Sequence, residues 1–137
     1  LQQETLVSGA PVANAWVSSR YGYRKDPFTG KTAFHSGIDF TARQGSKVST
    51  VAAGVVNWSG RHPEYGNMVE IKHGDGLVTR YAHNKSNLVK AGDVVKKGQV
   101  IALSGSTGRS TAPHVHFEVY KNGRVVDPAS YIRRTNR

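Results

Sequence analysis

The sequence predicts an all-β fold, a mostly antiparallel sheet or sandwich with one short helix near the C-terminus. Short stretches of alternating apolar and polar residues recur along the chain, as in Val69-Glu70-Ile71-Lys72, and such alternation is typical of a strand with one wet face. Asp75-Gly76 and Asn122-Gly123 separate pairs of these stretches, and both dipeptides accept the positive φ angles of tight hairpin turns. The regular spacing of strands and turns therefore favours an all-β fold.

Residues 1–15 lack clear periodicity and are predicted to form a linker or a loosely docked arm, followed by a first strand at 16–20. A long, mostly polar loop is expected over 21–34, where Asp26-Pro27 and Thr29-Gly30 are turn signals. A loop of that length is uncommon unless it has a function. Further strands are predicted at 35–40, 48–52, 54–59, 67–73, 77–83, 100–103, 112–120 and 125–126.

The end of the chain has a helix signal. Asp127 is a good N-cap and Pro128 is suited to the first helical position, which predicts a short helix over 129–132. Residues 133–137 form a basic tail. One domain over 16–132 is therefore expected between the arm and the tail.

Composition limits the classes of function. The 137 residues include 19 Lys and Arg against 9 Asp and Glu, so a net charge of +10 favours a polyanionic partner: nucleic acid, anionic lipid or an acidic wall polymer. The absence of cysteine excludes disulfides and thiolate chemistry. No stretch approaches the ~20 apolar residues of a membrane span. A start at Leu1 instead of Met predicts a processed or excised product.

Histidines on one strand are the main candidates for chemistry. In an extended strand, His114 and His116 share a face, while Val115, Phe117 and Val119 point to the apolar side. Two imidazoles on such a strand indicate a function.

Other histidines differ in how strongly they suggest a role. His35 and Asp39 also share a face at even spacing, and His83 ends a neighbouring strand. His62 and His73 are predicted to be ordinary solvated residues.

Together, His35, Asp39, His83, His114 and His116 provide two histidines and a carboxylate, plus two spare imidazoles. Two imidazole nitrogens and one carboxylate oxygen suit a catalytic Zn²⁺ ion, which keeps its fourth position for water. A glutamate base in a histidine-glutamate-x-x-histidine pattern is missing, so the spare histidines are candidates for acid–base work. Spacing alone does not say which histidines bind metal.

Three segments resemble the motifs of the lysostaphin-type (LytM, M23) zinc endopeptidases: His35-x-x-x-Asp39, Tyr81-Ala82-His83 and Pro113-His114-Val115-His116-Phe117. The resemblance covers about residues 16–132. It extends to framework segments at 21–24, 35–40, 108–111, 127–128 and 131–132. Small departures occur at Asn84, Ala112 and Val115, where leucine, glycine and leucine are common; they affect loop geometry and no ligand.

The resemblance implies that His35, Asp39 and His116 bind zinc, and that His83 and His114 are catalytic and unligated. It also implies long loops around a groove that contains the metal. The predicted activity is hydrolysis of peptide cross-links in peptidoglycan, in an extracytoplasmic setting: periplasm, cell envelope or secreted.

Two cross-link types compete, glycyl-glycine bridges and direct D-alanyl–diaminopimelate links. The insert 24–34 resembles members from Gram-negative bacteria, which use direct links. Lys25, Lys31, Arg61 and Arg109 are candidates to pair with the free carboxylates of a diamino-acid stem peptide. These observations favour the direct link in a periplasmic setting.

Other functions are weaker alternatives. Some family members have lost ligands and activate other wall hydrolases, but all five positions are filled here. Segments 51–56 and 92–98 resemble biotinyl and lipoyl carrier domains, yet no modifiable-lysine tripeptide lies between them. Nucleic-acid binding rests on charge alone. The sequence leaves open a regulatory partner, an upstream region and the oligomeric state.

Overall fold

The structure is a computed structural model that describes residues 7–13, 15–25, 29–108 and 113–132. Within these ranges the chain is mostly antiparallel β, and the predicted fold class is confirmed. The strands are β1 Val17–Ser19, β2 Gly22–Lys25, β3 Thr32–His35, β4 Ile38–Thr41, β5 Lys47–Ser49, β6 Gly54–His62, β7 Gly66–Gly74, β8 Leu77–Asn87, β9 Val94–Val95, β10 Val100–Ser104, β11 His114–Lys121 and β12 Arg124–Val126. One helix, α1, spans Ala129–Ile132.

A ten-stranded sheet forms the body of the domain. Its main path runs β1-β4-β11-β8-β7-β6-β9, β10 pairs with β5 and β8, and β12 pairs with β11. Every pairing is antiparallel, and β2 and β3 form a separate two-stranded sheet. Because β11 lies between β4 and β8, the strand with two histidines is flanked by those that contain Asp39 and His83.

Alternation along β11 separates an apolar face from a polar one. Val115, Phe117 and Val119 are fully buried in the core. The core also includes Val7 and Val12, so part of the segment predicted as an arm packs against the sheet. Full burial of one such side chain contributes about 1.5–3 kcal/mol, which is why the register of this strand is strongly specified.

The segment 21–34 differs from its prediction as a long loop, because it contains the hairpin of β2 and β3. Tyr23 pairs with Phe34 across the two strands, and their ring centroids lie 5.3 Å apart at an edge-to-face angle of 71°. Tyr21 contacts Phe34 in the same manner at 5.0 Å. Cross-strand aromatic pairs stabilise a hairpin even where many residues are polar. The predicted turn at Asp26-Pro27 lies outside the described residues.

His73 also differs from its prediction as a solvated residue. Only 6% of it is exposed, and Nδ1 lies 2.8 Å from the Ala53 carbonyl oxygen. Its Nε2 lies 2.7 Å from Thr79 Oγ1, which is in turn 2.8 Å from the Tyr81 hydroxyl. Burial lowers the pKa of His73 although the bond to Ala53 opposes this shift. His62, by contrast, is half-buried on the β6–β7 hairpin.

The predicted helix is confirmed. The Asp127 side chain accepts a hydrogen bond of 2.9 Å from the Ala129 backbone N–H, which caps the helix as expected. No helix in the described ranges is long and apolar enough to cross a membrane.

Candidate metal centre

Three side chains meet at the edge of the polar face of β11. Asp39 Oδ1 lies 3.3 Å from His35 Nε2 and 2.7 Å from His116 Nδ1. The ligand atoms of the three residues all lie within 4.8 Å of one another, and each residue is at least nine-tenths buried. The structure thus brings together the three residues for which the sequence predicts zinc binding.

Strand pairing produces this convergence. In the β4–β11 register Asp39 stands directly opposite His116, and His35 ends β3 just before the tight connection to β4. Gly37 lies in that connection, and a Cβ there would clash with the Phe117 carbonyl oxygen and stand 3.0 Å from His116 Cε1. Only glycine therefore allows the connection to pack so closely on β11.

The outer nitrogens of both histidines have hydrogen-bond acceptors. His35 Nδ1 lies 2.9 Å from the Arg20 carbonyl oxygen, and His116 Nε2 lies 2.9 Å from Glu118 Oε2. Carbonyl and carboxylate oxygens only accept, so these two nitrogens are the protonated ones. His35 Nε2 and His116 Nδ1 face Asp39 Oδ1 instead, at 3.3 and 2.7 Å, so they are the ring nitrogens placed to bind a metal ion that displaces the proton held there.

The electrostatics of the site favour a cation. Burial alone would lower the pKa of His116, but hydrogen bonds and charges from Asp39 and Glu118 raise it to about 9. Burial would raise the pKa of Asp39, but hydrogen bonds from His116 and His35 outweigh it and hold this pKa well below its usual range. His116 and Asp39 thus share a proton at the position where a metal ion could bind to both of them.

The donor set fits a zinc ion. Ligand atoms about 2.0–2.1 Å from a tetrahedral zinc ion lie about 3.3–3.4 Å apart. The His35–Asp39 separation of 3.3 Å already matches this spacing. The shorter His116–Asp39 separation of 2.7 Å suits a shared proton, and a small shift of one side chain would open it.

His83 and His114 lie beside the three candidate ligands. Their ring centroids are 4.9 Å apart, and that of His83 is 5.9 Å from that of His116. His114 Nε2 lies 3.6 Å from Asp39 Oδ1. All five site residues predicted from the sequence therefore form one cluster, in which the two spare imidazoles are adjacent to each other.

A local irregularity in β8 orients His83. The residue has a φ of +63°, and the pairing of β8 with β7 shifts register at this point. Its backbone N–H donates to the Tyr65 carbonyl oxygen at 2.7 Å, and its Nδ1 lies 2.6 Å from the Thr107 carbonyl oxygen. Burial lowers the pKa of His83 to about 4, and the Thr107 bond only partly offsets this. The imidazole is therefore neutral at pH 7, with its proton on Nδ1.

Three neighbours of the cluster were not among the residues predicted for the site. Glu118 is fully buried and accepts hydrogen bonds from Ser36 Oγ at 2.5 Å and the Tyr65 hydroxyl at 2.9 Å. Burial would raise the pKa of Glu118, but His116 and these hydroxyls lower it to about 2. The signal for Glu118 was present, because it continues the two-residue spacing of His114 and His116. Ser36 and Tyr65 have no comparable signal.

Basic residues predicted to contact substrate are only partly described. Lys25 ends β2 and Lys31 lies just before β3, and both side chains are exposed. Arg61, in β6, is exposed as well. Arg109 lies outside the described residues, as does Ala112.

The fold and the site define an all-β domain built around a buried His–Asp–His centre, and comparison with known proteins identifies its class. The model of peptidase family M23 matches residues 33–128, so the chain belongs to this family and the predicted resemblance is confirmed.

Relatives and a solved structure agree with the family model. DD-carboxypeptidase/endopeptidase Mpg from Neisseria meningitidis is 42% identical over 95% of this chain and 30% of its own length. Peptidoglycan DD-endopeptidase ShyA from Vibrio cholerae is 44% identical over 85% of this chain and 28% of its own. The crystal structure of a zinc-containing peptidase from Vibrio cholerae superposes with a TM-score of 0.79 at 39% identity, covering 93% of this chain and 40% of that one. The chain thus spans less than a third of either curated relative.

Proposed function

We propose that this domain is a zinc-dependent endopeptidase that hydrolyses peptide cross-links of bacterial peptidoglycan. The observation that carries the proposal is the buried cluster of His35, Asp39 and His116, with His83 and His114 next to it. The names of the relatives Mpg and ShyA, which describe endopeptidases, agree with it. A purely structural polar cluster would not need two histidine nitrogens to converge on one buried carboxylate with two more imidazoles beside them.

Zinc is the proposed ion, held by His35, Asp39 and His116. Two imidazoles with one carboxylate are a common ligand set for a catalytic zinc ion, and the related Vibrio cholerae structure is described as containing zinc. When bound, such an ion polarises a scissile carbonyl and makes water a better nucleophile at neutral pH.

His83 and His114 are proposed to move and hold protons during hydrolysis. The bond from His83 Nδ1–H to the Thr107 carbonyl leaves Nε2 unprotonated, so His83 is suited to accept a proton from the attacking water. His114 is then the partner that donates a hydrogen bond to the substrate's developing oxyanion. The sequence alone leaves these two roles interchangeable.

The proposed scissile bond is the D-alanyl–diaminopimelate cross-link. Lys25 and Lys31 are exposed at the turn end of the β2–β3 hairpin, whose other end holds His35, so this hairpin carries two cations on the element that leads into the centre. A diamino-acid stem presents free carboxylates that such cations can bind, whereas a glycine bridge presents none. The name of ShyA, a DD-endopeptidase, agrees with this choice. Glycyl-glycine cleavage is the alternative.

A non-catalytic activator of other wall hydrolases is the second alternative, and the complete set of five residues speaks against it. A substrate in the wall would locate the protein outside the cytoplasm, and we propose the periplasm as the setting for cleavage of the direct cross-link. The proposed catalytic domain spans residues 16–132, with a regulatory partner or upstream region as an open possibility.

The test uses two substrates: pentaglycine, and muropeptide dimers that are joined by a direct cross-link. The zinc content of the same protein preparation is measured alongside. We expect about one zinc per chain, release of monomers from the dimers, and intact pentaglycine. Cleavage of pentaglycine with intact dimers would overturn the substrate choice. Zinc-loaded protein that cleaves neither substrate would favour the activator.

A further inference from the structure

Behind the candidate metal centre lies a buried carboxylate that the proposed mechanism does not use. Glu118 is fully buried on β11, two residues after His116 on the same face of the strand. An isolated buried carboxylate costs several kcal/mol unless it is paired, so its partners indicate why it is there.

The partners of Glu118 come from four separate strands or turns. Its Oε2 accepts from His116 Nε2, Ser36 Oγ and the Tyr65 hydroxyl at 2.9, 2.5 and 2.9 Å. Its Oε1 accepts from the Tyr120 hydroxyl at 3.1 Å and lies 3.6 Å from Arg80 Nη1. Both carboxylate oxygens thus have donors, and only one of the named donors belongs to a candidate metal ligand.

We infer that Glu118 is a positioning residue, which fixes the ring of His116 so that Nδ1 faces the metal. The carboxylate can only accept, so it holds a proton on Nε2 and directs Nδ1 toward Asp39, where zinc would replace the proton of the 2.7 Å contact. Ser36, Tyr65 and Tyr120 prevent rotation of the carboxylate itself, which transmits their rigidity to the imidazole. Acceptor groups behind metal-bound histidines commonly raise metal affinity by 10–100-fold.

A second contact supports this role. The Tyr65 ring stacks on the His116 ring, with centroids 5.9 Å apart and planes inclined by 27°. One residue therefore holds the imidazole by its ring and the carboxylate by its hydroxyl. The same residue's carbonyl accepts from the His83 backbone N–H, so this network also reaches the second half of the site.

The test measures zinc affinity of the folded protein by competition with a chromophoric chelator. Glu118→Gln retains the shape and a neutral acceptor but removes the negative charge, and we expect zinc binding to weaken by about 10–100-fold. Glu70→Gln is the matched control, because Glu70 also binds Arg80, at 2.6 Å, without contacting His116. We expect the zinc affinity of the control to stay within about threefold of that of the unaltered protein, because Glu70 contacts none of the proposed zinc ligands.

A merely structural Glu118 would lower the melting temperature of the metal-free protein and leave zinc affinity unchanged. Unchanged affinity in Glu118→Gln, or equal weakening in Glu70→Gln, would therefore overturn the inference. If Glu118→Gln fails to fold, Tyr65→Phe and Ser36→Ala each remove one donor to the carboxylate. Both should weaken zinc binding to a smaller extent, and wild-type affinity in both would equally overturn it.

The inference rests on the proposed zinc site, yet the two fail in different ways. If the unaltered protein does not bind zinc, the proposed function is refuted. If it binds zinc and the Glu118→Gln variant binds it equally well, only the positioning role is refuted.

Discussion

His116 illustrates how a residue's role depends on both of its ring nitrogens. Nε2 is held by Glu118 and Nδ1 faces Asp39, so the imidazole is fixed between two carboxylates. His83, in contrast, has a carbonyl at Nδ1 and a lowered pKa, which leaves it neutral. Two buried histidines in one site therefore have opposite charge preferences, and substitutions should separate their roles.

Replacing His116 by alanine should remove both zinc and activity, since it deletes one of the three proposed protein ligands. His83→Ala is the matched comparison, because it removes another buried imidazole from the same cluster. His83→Ala and His114→Ala should retain zinc while turnover falls by about 10²–10⁴, the usual contribution of a positioned acid–base group.

Zinc content by atomic spectroscopy and turnover on muropeptide dimers are the two measurements, and far-UV circular dichroism checks folding. Stoichiometric zinc in His116→Ala would show that the ligand assignment is wrong. Full activity in His83→Ala or His114→Ala would remove that residue from the proposed mechanism.

At the scale of elements, the centre depends on close approach between the β3–β4 connection and β11. Gly37 allows this approach, because a Cβ would clash with the Phe117 carbonyl and lie 2.9 Å from Glu118 Cγ. The same connection provides Ser36, which binds Glu118, and it lies between His35 and Asp39. Packing of these two elements therefore sets the ligand geometry as well as stability.

Gly37→Ala should destabilise the domain by about 1–3 kcal/mol, the usual cost of overpacking a tight contact, and should weaken zinc binding. Gly60→Ala in β6 is the control, since its new Cβ would meet nothing closer than Trp58 atoms at 3.8 Å. Urea unfolding and zinc titration of both variants measure the two effects. A Gly37→Ala variant as stable as Gly60→Ala would contradict the importance of this contact.

The whole molecule has a second buried polar network on the other side of the site's strands. His73, Thr79 and Tyr81 connect β7 and β8 within the core. Burial is the main cause of the lowered pKa of His73, so the native state favours its neutral form. The unfolded chain has an ordinary histidine pKa of about 6.5 and takes up a proton more readily as pH falls.

Stability should therefore decrease as pH falls below about 6.5, because the unfolded state then binds the additional proton. His73→Gln removes this titration, so its free energy of unfolding should change less between pH 7.5 and pH 5.5. His62→Gln, which replaces another histidine at a half-buried position, is the matched comparison. Urea unfolding at several pH values measures the slopes, and parallel slopes for His73→Gln and the unaltered protein would refute the assignment.

Local patterns were enough to predict much of this protein. Two-residue alternation predicted the strands and the apolar face of β11, Asp75-Gly76 and Asn122-Gly123 predicted hairpin turns, and Asp127 predicted the helix cap. These features depend on backbone conformation and on burial of one strand face, which neighbouring residues determine. Motif order and spacing also indicated the family, together with five candidate site residues.

Tertiary structure alone decided what the polar face of β11 contacts. Ser36 and Tyr65 reach Glu118 across 82 and 53 residues of sequence, and the His73 ring contacts the Ala53 carbonyl oxygen across 20. The β2–β3 hairpin likewise depends on an aromatic pair formed only once the chain turns back. Such contacts produce no periodic pattern in the sequence. Strand order and register create them, and both are properties of the folded sheet that the residues next to each partner in the sequence do not encode.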